Sequence, residues 1–533
     1  MPEYTRALAV DSSGIASTKR FEWTILSCLF LLGLAFRLPH LSACSLWLDE
    51  TWRVALAEAP LKSFSKMPMA ASAQIFSYFG PLRLMLRFWG HSEWTVRIVP
   101  ALAGALAVPA TYQMARLALG RWPATLAALL LCLSPLHITY SQEGATYTIA
   151  SLAVPVFLIN AAALTHEATV RRFIIMVASA AIMSLAHFYL ILYVITVLGL
   201  YLLLLAGSRK RLLLATLGCV GVVVLLNIPQ LPLLFPHAAN TPRGLREFDV
   251  WVKSYPIRII NSLVSGPLNA SHCSLCLSDY YVPAVDSNAP LISKIVAWTA
   301  LATALLLAPL SAATLARKNR HLAVWLMATT LYFAFLVVQS PVTNHAQVRY
   351  IVPILPICFV AFASIADSSH HRWVNCLGAF VSIALLLNFL AVMQREPPGR
   401  RWKPDARSVA RRIADDCVGK QGVVLIVPEF VEVPLYEFYL RQSNCKILRQ
   451  PVYADYFNQN RINLLYRSMA QEQAENQWFG EFLRKEAGNI STVYIVSQRA
   501  KQRADEIAEI AKPLWGQADR SVLDSILVIR LIR

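Results

Sequence analysis

The chain has 533 residues, of which 56% are hydrophobic and only 15% charged, with a mean hydropathy of +0.48. That composition excludes a soluble globular protein, and no collagen, heptad or solenoid repeat is present. The net charge of +18 reads as topology signals plus a basic tail rather than nucleic-acid binding, because no recognisable nucleic-acid module accompanies it.

Apolar runs recur from Phe21 to about Gln394. Each is long enough for a hydrocarbon core of about 30 Å. The spans fall near 22–38, 97–115, 123–139, 148–164, 171–186, 188–206, 211–235, 290–313, 321–339, 348–367 and 373–393. That makes an α-helical polytopic membrane protein with about 11 transmembrane helices. The first run lacks a small-residue cleavage site and reads as a retained helix. The stretch 171–206 is too long for one span and predicts a hairpin around His187.

Positive charge orients these spans. With the N-terminus inside, the inner connections carry Lys19 and Arg20; Arg116 and Arg121; Arg171 and Arg172; Arg209, Lys210 and Arg211; Arg317, Lys318 and Arg320; and Arg372. The short opposite connections at 140–147 and 340–347 have no Lys or Arg, which satisfies the positive-inside rule. Three larger segments then lie outside: loop 39–96 with an amphipathic stretch IFSYFGPLRLMLRFWG, loop 236–289, and residues 395–533.

The division is therefore a membrane module over 1–394 and a soluble α/β domain over 395–533, beginning at the Pro/Arg-rich QREPPGRRWKP. In the tail, DARSVARRIADDC and VPLYEFYLRQ predict helices, and GVVLIVPE, STVYIVSQ and SILVIRLIR predict strands. The tail has no Gly-rich phosphate loop.

Chemistry-bearing residues collect at the outer surface. Asp49 and Glu50 stand in SLWLDETW; Tyr140, Gln142 and Glu143 in YSQEGATY; His345, Arg349 and Tyr350 in TNHAQVRY. Carboxylates in apolar surroundings are costly and usually have a partner or a task. One carboxylate can act as general base on a hydroxyl, while a second orients the acceptor or binds a divalent cation. An arginine at the water–lipid boundary suits a phosphate leaving group. Base plus phosphate clamp describes transfer of a phosphate-activated group to an alcohol. Arg37 and Arg97, at helix ends, read as snorkelling residues, and His187 and His345 as structural.

The stretches SLWLDETW, VRIVPALAGALAVPATYQMARLALG, LSPLHITYSQEGATY and VRYIVPILP, in that order, resemble polytopic membrane glycosyltransferases of the GT-C fold. The nearest subgroup is glycosyltransferase family 39, with protein O-mannosyltransferases and lipid A aminoarabinose transferases. The resemblance covers about residues 22–400. It implies a polyprenyl-phosphate sugar donor, an acceptor protein, lipid or polysaccharide, and no certain cofactor. It implies a multi-pass protein of the inner membrane with its site and tail extracytoplasmic. By the same resemblance Asp49 matches the catalytic base and Glu143 the second-loop acid. Glu50 and Glu143 would orient the acceptor or hold a divalent cation. Arg349 would hold the donor phosphate, helped by Tyr350 and by Arg83 or Arg87.

The chain departs from many relatives where YSQE continues with Gly144-Ala145 rather than Ala-Arg, so a basic residue is missing there. A transporter of lipid-linked glycans is the competing reading, but it calls for polar groups at mid-membrane, and here they crowd one face. A non-catalytic envelope-assembly protein is the third.

Of ten cysteines, Cys273 and Cys276 in SHCSLC, and Cys417 and Cys445 in the tail, lie outside the membrane and predict two disulfides. Zinc binding by His272, Cys273 and Cys276 is the alternative for the first pair, with the fourth ligand unidentified.

Overall fold

A computed structural model describes residues 12–59, 74, 77–165, 169–205, 210–228, 319–343, 348–367, 372–395, 404–418, 420–428, 432–448, 469–498, 501–515, 517–523 and 525–533. The expected loop 236–289 with His272, Cys273 and Cys276, the expected span 290–313, and His345 lie outside the described residues.

The membrane module opens with α1 (Ser12–Arg37), followed by two shorter helices of the first loop, α2 (Leu48–Glu58) and α3 (Phe79–Trp89). Then come α4 (Glu93–Arg116), α5 (Arg121–Leu133), α6 (Pro135–Ser141), α7 (Tyr147–Leu164), α8 (Val170–Ala186), α9 (Leu190–Leu205), α10 (Lys210–Asn227) and α11 (Arg320–Thr343). A 3₁₀ turn at Val348–Ile354 leads into α12 (Leu355–Ser364), and α13 (Arg372–Arg395) ends the module. Over the described residues, each expected span other than 290–313 falls on helix, and the hairpin does turn at His187, whose extended backbone ends α8.

Among the described residues, four helices are long and apolar enough to cross a membrane, five if the bent pair α5–α6 is one span. Phe21, Trp23 and Trp122 lie exposed near one end of α1 and α5, as interfacial aromatics do.

Prolines shape this bundle, and side chains repair what they break. Pro135 cannot donate to the carbonyl four residues earlier, and the helix bends by 56° between α5 and α6. Arg37 turns inward to the freed groups. Its guanidinium donates to the carbonyls of Leu131 (3.1 Å) and Cys132 (3.2 Å) and meets His137 Nδ1 at 2.9 Å. Likewise Pro100 leaves the Val96 carbonyl without a helical donor, and the Tyr78 hydroxyl supplies one at 2.9 Å. Arg37 is therefore buried and does not snorkel, a correction to the reading from sequence.

The tail comprises α14 (Ala406–Cys417), β1 (Val423–Ile426), α15 (Val433–Leu440), β2 (Lys446–Leu448), α16 (Met469–Glu486), β3 (Thr492–Ser497), α17 (Lys501–Ala511), β4 (Gln517–Leu523) and β5 (Ile526–Ile532). One five-stranded sheet has the order β2-β1-β3-β5-β4. β1 pairs parallel with β2 and β3, and β5 pairs antiparallel with β3 and β4. Alternate residues split between two cores, as a strand period of two requires. Val423, Leu425, Tyr494, Val496 and Val528 pack with α14 and α15; Val424, Ile426, Val493, Ile495 and Ile529 pack with α16 and α17.

Cys417 and Cys445 form the expected disulfide, with Cα atoms 5.7 Å apart. Where doubly wound sheets bind ligands, at the carboxyl ends of β1 and β3, the buried Glu432 accepts from the Gln498 amide at 2.9 Å.

Candidate active site

The acidic pair opens α2. Trp47 is its N-cap, in extended conformation, and the Glu50 carboxylate reaches back to the Trp47 amide at 3.2 Å, half of a capping box. Asp49 and Glu50 both lie in the first turn, where the helix dipole favours negative charge. Adjacent helical residues point about 100° apart, so the two carboxylates face different partners.

Glu50 faces α4 and is fully buried. Its two oxygens take a fork from Arg97, Nε to Oε1 at 2.7 Å and Nη2 to Oε2 at 2.8 Å. Oε1 also accepts the Gly144 amide at 2.8 Å. Arg97 spends its remaining donors on the carbonyls of Leu41 (2.7 Å), Cys44 (2.9 Å) and Ser45 (2.9 Å). Arg97 is only 2% exposed, so it too departs from the snorkelling expected of it. This arrangement ties the loop between α1 and α4 to the loop between α6 and α7, and it commits Glu50 to holding the site together.

Asp49 faces the other way and keeps access, with its side chain 38% exposed. Its Oδ2 accepts from Arg349 Nη1 at 2.9 Å, across 300 positions of sequence. The Arg349 guanidinium lies 5.8 Å from the Tyr147 ring centre, a cation–π placement. Tyr140 packs edge-on against Tyr147 at 5.4 Å. Tyr350 packs on His187 at 4.5 Å and on Tyr189 at 5.4 Å, while its carbonyl accepts from Tyr332. Burial, and then the charge of Arg349, push His187 down to about 3, so its ring is a neutral packing partner.

One residue of this cluster was missed from sequence. Arg53 stands one turn after Asp49 on α2 and donates to the Gly144 carbonyl at 3.1 Å. Burial alone would lower its pKa, but Asp49, Tyr147 and Glu143 raise it above the ordinary value, so it is a cation. It brings positive charge to the stretch where YSQE is followed by Gly144-Ala145. The i, i+4 spacing from Asp49 in LDETWR was the signal.

Glu143 is fully buried in the YSQEGA turn and acts electrostatically on Arg53, Tyr147 and Tyr78. Gln142 is turned elsewhere, donating to the carbonyls of Pro39 (2.8 Å) and Arg37 (3.2 Å), which pins the end of α1 to this loop. Arg83 and Arg87 do not join Arg349. Arg83 donates to the Ala59 carbonyl at the end of α2, and Arg87 is exposed on α3. Among the described residues, no three His, Cys, Asp or Glu side chains gather as metal ligands.

Gly144 is fixed by its neighbours. A Cβ there would lie 2.6 Å from Val96 Cγ1 and 2.9 Å from the Tyr78 hydroxyl. Both belong to packed structure, so Gly144→Ala should cost about 1–3 kcal/mol of stability through overpacking. A thermal unfolding midpoint equal to wild type would contradict that.

Residues 76–233 match the sequence profile of the dolichyl-phosphate-mannose-protein mannosyltransferase family. That segment contains Arg97 and Glu143 and excludes Asp49 and Arg349. No curated protein matches the chain by sequence. Among solved structures, ArnT from Cupriavidus metallidurans bound to undecaprenyl phosphate is similar, at 15% identity and a TM-score of 0.54 over 98% of each chain. The oligosaccharyltransferase of Archaeoglobus fulgidus, in complex with Zn and sulfate, is similar over 93% of this chain and 72% of its own, with 12% identity and a TM-score of 0.53. The archaeal oligosaccharyltransferase AglB with an inhibitory peptide and a dolichol-phosphate gives 12% identity and 0.52, over 93% and 71%. The resemblance read from the sequence is thereby borne out: this is a membrane protein with the GT-C fold of polytopic glycosyltransferases, and its segment 76–233 carries the sequence pattern of the protein mannosyltransferases.

Proposed function

We propose that the protein is a membrane glycosyltransferase that moves a sugar from a polyprenyl-phosphate donor to an acceptor hydroxyl. The observation that carries this is the Asp49–Arg349 pair, held partly open at the outer ends of the helices with Arg53 and Tyr147 beside it. The likeness to ArnT with undecaprenyl phosphate and to AglB with a dolichol-phosphate supports a lipid-phosphate ligand.

The donor phosphate competes with Asp49 for Arg349. When it wins, Asp49 is released beside the sugar. The acceptor oxygen attacks the anomeric carbon as its proton passes to the Asp49 carboxylate. The bond from that carbon to phosphate oxygen breaks, and its electrons stay on the polyprenyl phosphate held by Arg349. Direct displacement inverts the anomeric centre. Glu50 keeps α2 against the second loop, and Glu143 and Arg53 set the charge of the pocket. The lysine and arginine asymmetry supports an orientation with this face outside the cytoplasmic membrane and the tail on the same side.

Arg349→Ala should weaken binding of a polyprenyl phosphate by roughly 1.5–3 kcal/mol, the range for a lost charge-assisted hydrogen bond. Titration of the purified variant with undecaprenyl phosphate measures it, and unchanged affinity would remove Arg349 from the clamp. The activity itself is tested by glycan and lipid profiling of the native host with and without the protein. Loss of one glycosylated product, restored by wild type and not by Asp49→Asn, is the expected result; identical profiles would count against an enzyme.

A further inference from the structure

We propose that the C-terminal domain is a working part of the active site, with Tyr439 and Arg407 as positioning residues for Asp49. The proposal rests on the reading of Asp49 as the base.

Asp49 sits at the start of a helix entered through an irregular segment, residues 41–47. Such a segment sets the helix position only if its backbone groups are held. Arg97 holds three of its carbonyls from the membrane side. The tail holds the rest that concern us. The Tyr439 hydroxyl accepts the Leu46 amide at 2.6 Å and donates to Glu93 Oε1 at 3.1 Å. Arg407 donates to that same Glu93 oxygen at 3.0 Å, and to the carbonyls of Ser42 (3.0 Å) and Ala43 (3.2 Å). Ser45 Oγ donates to the Pro404 carbonyl at 2.7 Å.

Packing continues the grip. Leu48 is buried in the tail's own core beside Val433 and Tyr436, and Trp52 packs against the same cluster. The far end of α2 is fixed as well: Arg441 Nη2 reaches Glu58 Oε2 at 2.6 Å, and Arg441 also meets His91. Both ends of the helix that carries Asp49 are thus bolted to α15 or to the turn after it. Burial, reinforced by Glu93, raises the pKa of Tyr439, so its hydroxyl keeps the proton that it donates.

Catalytic geometry is sensitive to displacements of about 1 Å, which can cost about 100-fold in rate. Tyr439→Phe keeps the ring and removes both hydrogen bonds. It should lower kcat by about 10- to 100-fold, with the KM for a polyprenyl-phosphate sugar and the affinity for undecaprenyl phosphate within about twofold of wild type. Val493→Ala serves as the comparison: it loosens the tail's other core, against α16 and α17, which holds neither Leu48 nor Tyr439. Per folded molecule it should turn over like wild type.

Should Tyr439→Phe fail to fold, Arg407→Lys, which keeps the charge and loses the fork, carries the same test with a smaller fall in kcat. Wild-type kcat in Tyr439→Phe, or an equal fall in Val493→Ala, would overturn the proposal while Asp49→Asn remains inactive. Full turnover by Asp49→Asn would instead bring down the reading of the base, and this proposal with it.

Discussion

Arg97→Ala should destabilise the folded protein by about 3–5 kcal/mol, the usual cost of removing one partner of a buried ion pair. Glu50 would be left fully buried without its Arg97 fork, while still accepting the Gly144 and Trp47 amides. The carbonyls of Leu41, Cys44 and Ser45 would lose their donor at the same time. The segment leading to Asp49 would then lose its polar anchor on α4 and keep its apolar contacts there through Leu41 and Leu46. Thermal unfolding in detergent or lipid nanodiscs measures the loss. Arg97→Lys should recover part of it, because an ammonium restores charge without the two-pronged geometry. An Arg97→Ala protein as stable as wild type would mean that the fork contributes nothing.

Asp49→Asn should leave the fold intact and lower turnover by about 10²–10⁴-fold, the range for loss of a general base. The side chain is partly exposed and Asn can still accept from Arg349, so stability has little reason to change. Donor binding should hold or strengthen, since the phosphate no longer competes with a carboxylate for Arg349. The two acidic neighbours therefore separate by phenotype. Asp49 variants should fold and fail in chemistry, whereas Glu50 and Arg97 variants should fail in folding.

Much of the membrane module was legible because hydrophobic length and loop charge are strong, local signals. The spans that fall on described residues, the hairpin at His187 and the acidic pair follow from residue order alone. In the tail, β1, β3 and β5 are continuous apolar runs and were legible. β2 is three residues long and β4, QADRSVL, is a polar strand paired only to β5; neither carries a periodic pattern that marks a strand.

The site was half legible. Asp49, Glu143 and Arg349 stand out as charges in apolar stretches, and the structure gathers them with Tyr147 and Arg53. Sequence alone gives no direction for Arg37 or Arg97. A cation at a helix end reads as snorkelling, and only the carbonyls freed at Pro135 and the carboxylate of Glu50 turn these two inward. Arg83 and Arg87 share with Asp49 the segment between α1 and α4, yet the turn of α3 sends one to a helix end and the other to the surface. The bolting of α2 to the tail could not be read at all. Leu48 and Trp52 look like ordinary apolar faces of an amphipathic helix until the domain they enter is present.

The central claim is that Asp49 takes a proton from an acceptor while Arg349 holds a polyprenyl phosphate. It is tested most directly by single-turnover assay of purified wild type and Asp49→Asn protein, preloaded with a panel of polyprenyl-phosphate sugars and supplied with envelope lipid and protein acceptors. Free polyprenyl phosphate is counted against glycosylated acceptor. Wild type should release the two in equal amounts from at least one donor, and Asp49→Asn should bind that donor and release neither at a comparable rate. Release at the wild-type rate by Asp49→Asn, or no transfer by wild type from any polyprenyl-phosphate sugar of the panel, would contradict the account.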